Sequence, residues 1–199
     1  SEANVVSIVR LLVDRYADGP RRGLRGTMKA AAPIHYPELG VYHQRLPGRM
    51  SESAAALPKM KDARGTVGVL VMRSYLLAGN TAHYDAVIAA FEAKGLNVIP
   101  AFSGGLDARP AVDAIFKRDG RPIIDALVSL TGFSLVGGPA YNDASAADAM
   151  LSGLDVPYIA AQAIEFQSLE QWNASDRGLM PVEATMMVAI PELDGATGP

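Results

Sequence analysis

Cysteine is absent from the 199 residues, and tryptophan occurs only once. Without cysteine, the chain can form no disulfide, no thiolate metal site and no thiol nucleophile. Basic clusters are also missing: 18 Lys and Arg stand against 21 Asp and Glu, for a net charge of −3, which gives no support to nucleic-acid binding. The longest apolar runs, such as TVGVLVM (66–72), are too short to be a transmembrane segment. We therefore expect a globular protein from a reducing compartment, with a cytoplasmic location.

Apolar residues make up 49% of the chain, enough for one sizeable α/β core or two small ones. Residues 4–16 place an apolar residue at each helical repeat and predict an amphipathic helix. Residues 17–65 lose this periodicity and predict an irregular arm or linker. The chain begins with Ser and ends in PELDGATGP, so we expect an internal piece of a longer protein. The expected domains are an N-terminal helix with an irregular arm (1–65) and an α/β Rossmann-like domain (66–199).

Strand and helix patterns alternate from Thr66 onward. Predicted strands cover 65–72, 96–102, 122–130 and 156–161, and predicted helices cover 80–95, 107–118, 142–153 and 168–175. Residues 182–190 fit either a strand or a buried helix. This order predicts a doubly wound, mainly parallel sheet with flanking helices. In such sheets, ligands bind outside the carboxyl ends of the strands.

The glycine loop, TGFSLVGGP (131–139), follows one of these strand ends. It is not a Walker loop, since no Lys-Ser or Lys-Thr follows its glycines. It is not a dinucleotide fingerprint either, because the spacing fails and Pro139 lacks a backbone donor. Asn142 and Asp143 resemble helix caps, and an acidic cap would repel a phosphate. The loop fits a tight turn, close packing of two backbones, or a flat apolar ligand.

Three long segments, together with PIHYPELGVYH (33–43), resemble the large subunit of the magnesium chelatase and cobaltochelatase family. The segments are GVLVMRSY…ARPAV (68–112), TGFSLVGGPAYNDASAA (131–147) and EFQSLEQW…AIPELDG (165–195). The resemblance departs at Gln44, where Pro is expected. It implies a subunit that binds protoporphyrin IX as substrate. It also implies Mg²⁺ insertion in (bacterio)chlorophyll synthesis, driven by ATP hydrolysis in an AAA+ ATPase subunit and its partner subunit.

Metal insertion removes two pyrrole N–H protons, so a base must lie over the ring, and hard Mg²⁺ prefers oxygen ligands. Glu165, just past a predicted strand end, is the first candidate both as the base and as an escort for the metal. Glu183 and His43 are the other candidates for a catalytic role, and Glu192 is the other candidate for the metal. Surface charge, capping or packing is the plainer explanation for each of them.

Porphyrin carries propionates and a flat apolar face. Arg73 and Arg109 lie beside strand ends and could pair with propionates through a forked guanidinium. Arg109 occupies a first helical turn, where a cation is unfavourable, so we expect it to have a partner. His83 could contact the macrocycle, and Phe133 and Trp172 could stack on it, although core packing is the plainer role for an aromatic side chain.

Three alternatives stay open. The region could be a scaffold that docks the ATPase subunits without touching porphyrin, for which the basic arm (Arg21, Arg22, Arg25, Lys29) is suited. It could be a doubly wound module that binds a flavin or nucleotide. It could also serve a cobaltochelatase-type insertion in cobalamin synthesis. We expect the isolated chain to be inactive in every chelatase case.

Overall fold

A computed structural model of the chain describes residues 1–138 and 141–196. The chain forms two compact units: residues 1–36 with 74–80, and residues 37–73 with the chain from 81 onward. Among the described residues, no helix combines the length and apolar character needed to cross a membrane.

The smaller unit contains the predicted N-terminal helix, α1 (Glu2–Tyr16), followed by a 3₁₀ turn at Gly19–Leu24. The main-chain amide of Met28 donates to Asp14 Oδ1 at 2.9 Å and holds the chain that follows against the helix. The apolar stripe is present, yet no residue of α1 is buried. Val5, Ile8 and Leu12 remain 51–60% exposed.

A six-stranded sheet organises the larger unit, in the order β2-β1-β4-β3-β7-β8. The strands along the chain are β1 (Leu39–Tyr42), β2 (Met50–Ser51), β3 (Thr66–Leu70), β4 (Asn97–Ser103), β5 (Lys117–Arg118), β6 (Arg121–Pro122), β7 (Ala126–Ser129) and β8 (Tyr158–Ala160). Strands β4, β3, β7 and β8 are parallel, which confirms the predicted mainly parallel sheet. Strands β5 and β6 form a separate hairpin.

Strands β1 and β2 lie inside the segment predicted to be an irregular arm, so that prediction was wrong for residues 39–42 and 50–51. Strand β1 pairs antiparallel with both β4 and β2. It is four residues long and contains Gly40, where a β-carbon would overlap the main-chain carbonyl of Ser51. Because close approach of the two strands requires this glycine, the usual alternation of side chains is hidden. A domain boundary at residue 65 stays a prediction.

The helices are α2 (Arg73–Ala78), α3 (Ala82–Ala93), α4 (Arg109–Ala111), α5 (Ala144–Leu154), α6 (Leu169–Asn173), α7 (Pro181–Ala184) and α8 (Ile190–Leu193). Residues 112–116 continue α4 as a π-helical turn, and residues 185–189 join α7 to α8 in the same way. The segment 182–190 is therefore a helix, as one of its two predictions stated. It is not buried throughout, since Val182 and Val188 are exposed.

Apolar side chains of the central strands and their crossover helices form the core. Val69 of β3 and Leu127 of β7 are fully buried, and Phe116 and Leu154 are buried on the crossover helices. Strand β4 follows β3 on one side, whereas β7 lies on the other side of β3. The strand order therefore reverses at β3, and the carboxyl ends of β3 and β7 flank the position where such sheets bind ligands.

Candidate functional site at the carboxyl edge of the sheet

The carboxyl ends of the parallel strands are aligned by their register. Leu70 of β3 lies opposite Ala101 of β4 and Ser129 of β7, and Ser129 lies opposite Ala160 of β8. The chain beyond β3, β4 and β7 contributes to a single depression, the carboxyl-edge cleft. It is lined by residues 70–73, 102–103, 105–108, 131 and 133–135.

The cleft is small. Its volume is about 30 Å³, which is room for a few water molecules. Pockets for drug-sized ligands start near ~300 Å³. The cleft therefore cannot enclose a tetrapyrrole. A macrocycle that meets this edge would have to lie across it.

Arg73 and Phe133, both predicted to contact porphyrin, line the same cleft. The Arg73 guanidinium donates from Nε to the carbonyl of Pro37 at 2.7 Å and from Nη2 to Glu38 Oε1 at 3.0 Å. Glu38 is mostly exposed, whereas Arg73 is largely covered. The cation is thus already committed to a carboxylate of the chain, and a propionate would have to displace Glu38 to form the predicted pair.

Arg109 has the partner that its unfavourable position predicted, and this partner is also within the chain. Its Nη2 lies 2.7 Å from Asp107 Oδ2, and its main-chain amide donates to Asp107 Oδ1 at 2.9 Å. The guanidinium is the main cause that lowers the pKa of Asp107 below its usual range. Asp107 therefore both accepts from the first amide of α4 and neutralises the misplaced cation.

His83 lies in the first turn of α3, half-buried, with its ring centroid 3.9 Å from that of Tyr84. Burial lowers the pKa of His83, and Asp85 offsets this only in part. The imidazole is therefore neutral at pH 7, the form that can accept a proton. His83 therefore has a protonation state suitable for a base.

The glycine loop does hold an anion, and the anion is a carboxylate of the chain itself. Asp194 Oδ2 accepts from the main-chain amide of Leu135 at 2.7 Å, and Oδ1 lies 3.1 Å from the Ser134 hydroxyl. Asp194 is 1% exposed. Burial raises the pKa of Asp194, while the two hydrogen bonds work in the opposite direction. No phosphate is needed to explain the loop.

Two glycines of the loop are required by close packing. Gly132 has φ of +75°, and a β-carbon there would overlap the side-chain amide of Gln162. Gly137 has φ of +120°, and its β-carbon would overlap the main-chain carbonyl of Tyr141. The predicted close packing of two backbones is therefore confirmed at Gly137, whereas Gly132 packs against a side chain. Asp143 caps α5 as predicted, since its Oδ1 accepts from the amide of Ala146 at 3.0 Å.

Glu183 is the predicted catalytic residue that the structure buries completely. Its Oε2 accepts from the amide of Met180 at 2.8 Å and from Gln167 Nε2 at 2.7 Å. Its Oε1 is buried and has no hydrogen-bond partner among the residues that the structure describes. Gln167 also donates to the carbonyl of Gly178 at 3.2 Å, so Glu183 helps close the 167–180 segment. This local role matches the capping alternative stated above.

His43 lies towards the opposite edge of the sheet. Because Leu39 pairs with Ser103 and Val41 with Ala101, the chain runs from the carboxyl edge towards the amino edge before it reaches His43. The ring is 1% exposed, with Nε2 3.2 Å from Glu92 Oε1 and Nδ1 accepting from the amide of Arg45 at 3.1 Å. The structure does not bring His43 to the carboxyl-edge cleft.

The other three candidates lie on exposed segments. Glu165 follows β8, Trp172 belongs to α6 and Glu192 to α8, and all three are exposed. Trp172 is 39% exposed, so its fluorescence can report on a ligand. Across residues 1–138 and 141–196, no three His, Asp or Glu side chains converge in a way that could hold a metal ion.

Sequence reasoning missed the polar residues that organise this edge. Neither Asp107 nor Asp194 was singled out as a site residue. Ser134 drew no attention, although it is 2% exposed and contacts Asp194. Asp194 does carry one weak signal: it ends a helix, where an acid opposes the helix dipole, and such a misplaced charge suggests a partner.

The fold and the site define a mainly parallel α/β domain with a narrow cleft at the reversal of its strand order. The sequence model of the family described as CobN/Magnesium Chelatase matches residues 1–199. The chain therefore belongs to the CobN/magnesium chelatase family, as its resemblance predicted.

Individual relatives agree. The chain is 57% identical over 199 residues to the H-type magnesium-chelatase subunit of Rhodobacter capsulatus, covering 100% of the chain and 16% of that protein. It is 38% identical over 216 residues to the chloroplastic magnesium-chelatase subunit ChlH of Oryza sativa subsp. indica, covering 100% of the chain and 15% of that protein. The chain thus spans about a sixth of the length of these curated relatives.

A solved structure shows the same fold. The catalytic subunit of cobaltochelatase from Mycobacterium tuberculosis matches with a TM-score of 0.63 and 25% identity. The match covers 98% of this chain and 15% of that one.

Proposed function

We propose that this chain is a segment of a magnesium chelatase large subunit, the subunit that binds protoporphyrin IX as substrate for Mg²⁺ insertion. The carrying observation is the 57% identity to the Rhodobacter capsulatus magnesium-chelatase subunit along the full 199 residues. The identity to the solved cobaltochelatase subunit is 25%. This difference favours Mg²⁺ and a porphyrin over Co²⁺ insertion in cobalamin synthesis. In this proposal ATP is hydrolysed by an AAA+ ATPase subunit and its partner subunit.

Within the large subunit, we expect this segment to contact the porphyrin at its surface, while other parts of the subunit enclose the macrocycle. A cleft of about 30 Å³ cannot enclose the macrocycle, and both arginines at this edge already pair with Glu38 and Asp107. Exposed Glu165 and Trp172 can still face a macrocycle held mainly by other parts of the subunit. These observations also favour the second candidate, a scaffold that docks the ATPase subunits without touching porphyrin.

The chemistry assigns different tasks to the candidate residues. Deprotonation of the pyrrole nitrogens requires a group that can accept protons at neutral pH. Exposed Glu165 is our candidate base and metal escort, with neutral His83 as a second proton acceptor. Glu192 is a candidate for delivering the metal. Glu183 and His43 would act on the site only through the elements they hold in place.

The function is tested with the full-length subunit that contains this segment, mixed with its two partner subunits, ATP and protoporphyrin IX. We expect fluorescence of the Mg-porphyrin product to appear with Mg²⁺, and no insertion when the partner subunits are left out. Insertion of Co²⁺ into a corrin-type ring, with no Mg-porphyrin formed, would instead establish the cobaltochelatase alternative.

The supporting role is tested through Trp172. Titration of the 199-residue chain with a water-soluble porphyrin should quench Trp172 emission saturably, and Glu165→Gln should weaken the effect. Asp176→Asn, which changes an exposed carboxylate in the same way, is the matched control. Absence of quenching in a chain whose circular dichroism shows it folded would favour the scaffold candidate. Tight flavin or nucleotide binding would favour a ligand-binding module instead.

A further inference from the structure

The last helical turn, residues 190–194, packs its terminal carboxylate into the glycine loop 131–138. Both carboxylate oxygens of Asp194 are used, one by the Leu135 amide at 2.7 Å and one by the Ser134 hydroxyl at 3.1 Å. Ser134 Oγ also lies 3.0 Å from the Val136 carbonyl and 3.2 Å from the Val136 amide. The carboxylate and the hydroxyl together fix three consecutive residues of the loop.

The same residues shape the carboxyl-edge cleft. Phe133, Ser134 and Leu135 line it directly. The loop is tied to the neighbouring wall as well, since the amide of Ala108 donates to the Leu135 carbonyl at 2.8 Å and Gly137 donates to the Leu106 carbonyl at 3.1 Å. Asp194 does not line the cleft. It affects the shape of the cleft indirectly, through its hydrogen bonds to the loop.

The placement of Asp194 is costly in two ways. An acid at a helix C-terminus faces the negative end of the dipole. Burial of a carboxylate also disfavours its charged form. Burial, and after it the charge of Asp194, raises the pKa of Tyr158 of β8. The hydrogen bonds from the Leu135 amide and the Ser134 hydroxyl offset these unfavourable effects.

We infer that Asp194 is a positioning residue, whose carboxylate holds the glycine loop and thereby sets the orientation of Phe133 at the carboxyl-edge cleft. The consequence for porphyrin rests on the proposed function. In that case Asp194 determines how the predicted stacking side chain, Phe133, meets the macrocycle, although Asp194 itself touches no substrate.

The geometric part is tested by NMR of the 199-residue chain. The Leu135 amide proton should shift as Asp194 is protonated at low pH, and this titration should vanish in Asp194→Asn. In Asp194→Ala, hydrogen exchange at Leu135 should be roughly tenfold to a hundredfold faster, the effect of losing a hydrogen bond to a charged group. Asp176→Asn should leave both readouts unchanged.

An unchanged Leu135 exchange rate in folded Asp194→Ala would overturn the inference. If that variant does not fold, the wild-type titration and Asp194→Asn still decide, because an amide that ignores pH in the wild type contradicts a bond to the carboxylate.

The functional part uses the full-length subunit with its partners. Asp194→Asn and Phe133→Ala should each raise the KM for porphyrin about tenfold and leave kcat nearly unchanged, as expected when substrate binding is weakened without loss of transition-state contacts. If Leu135 exchanges faster in the variant but the KM for porphyrin is unchanged, Asp194 holds the loop without affecting porphyrin binding. That outcome would overturn the functional part. A wild-type complex with no chelatase activity would count against the proposed function, and the NMR result would stand by itself.

Discussion

Two regions of the larger unit use charge in different ways. Side chains of the β1–β2 region pair with side chains of α3: Tyr42 with Asp85 at 2.6 Å, Arg49 with Asp85 at 2.6 Å, and His43 with Glu92 at 3.2 Å. In the glycine loop, one carboxylate, Asp194, meets main-chain and hydroxyl donors.

In the first region, charge attaches one regular element to another. The ionisable groups of these side-chain pairs already have partners and are not available for other contacts. In the second region, a carboxylate holds an irregular loop in one conformation. Such a loop lacks the regular backbone hydrogen bonds that maintain a helix or a sheet. The geometry of the glycine loop therefore requires positions such as Gly132 as well as a charged residue, whereas the contact of β1–β2 with α3 depends on charge pairs.

The largest expected effect comes from Gly132→Ala. The substitution adds a side chain at positive φ, which costs about 1–2 kcal/mol, and overlaps Gln162, which adds about 1–3 kcal/mol of overpacking. We expect the free energy of unfolding to fall by roughly 4 kcal/mol in urea titrations. The double variant with Gln162→Ala should recover part of this loss. Equal stability of the single and double variants would contradict the packing explanation.

In the β1–β2 region, His43→Ala should lower the free energy of unfolding by about 2–3 kcal/mol, since it removes a buried ring and leaves Glu92 without one partner. Chelatase activity of the full-length subunit should fall only as far as the folded fraction does. His35→Ala, at an exposed position, is the control. Activity lost from a variant of normal stability would instead support the predicted proton-relay role of His43.

Tyr42→Phe should have a smaller effect of the same kind. The hydroxyl donates to Asp85 at 2.6 Å, and burial together with Asp85 raises the pKa of Tyr42 to about 12. Loss of this bond should cost about 1.5 kcal/mol in the free energy of unfolding. Tyr16→Phe, at an exposed position of α1, should cost nothing measurable. If the two variants are alike, the β1–α3 pairs do not fasten the helix.

The smallest effect is a pH dependence from His83. Burial lowers its pKa in the folded state, so the unfolded chain binds a proton first as pH falls through about 6.5. His83 should therefore reduce stability progressively below that pH. His83→Gln should flatten this part of the stability profile, and His35→Gln should not. A wild-type profile that rises with acidity over this range, and loses that rise in His83→Gln, would contradict the buried imidazole.

Regular elements were predictable because their signals are local. The β-branched run of β3, the cap at Asp143 and the alternation of strands and helices all lie within a few residues, and the structure confirms each. Strand β1 was missed because its pairing comes from β4, some sixty residues away, and because Gly40 breaks its pattern. The sequence predicted that Arg109 needs a partner. That this partner is Asp107 could be identified only from the conformation of the backbone between the two residues.

The site was less predictable for the same physical reason. The hydrogen bonds that Asp194 makes to Ser134 and Leu135 span 60 and 59 positions, and nothing in PELDG specifies where its carboxylate will go. Arg73 and Phe133 were placed at the carboxyl edge correctly, because both follow parallel strands. Their roles towards porphyrin stay predictions.

The sequence distance between Asp194 and its loop also has a consequence for synthesis. A ribosome adds roughly 5–20 residues per second, so several seconds separate the emergence of Leu135 from that of Asp194. During this interval the strands up to β8 can already pair, while the loop lacks its carboxylate. The nascent chain thus passes through a stage with a formed sheet and an unfastened loop, which is the stage at which a chaperone or a premature partner would encounter it.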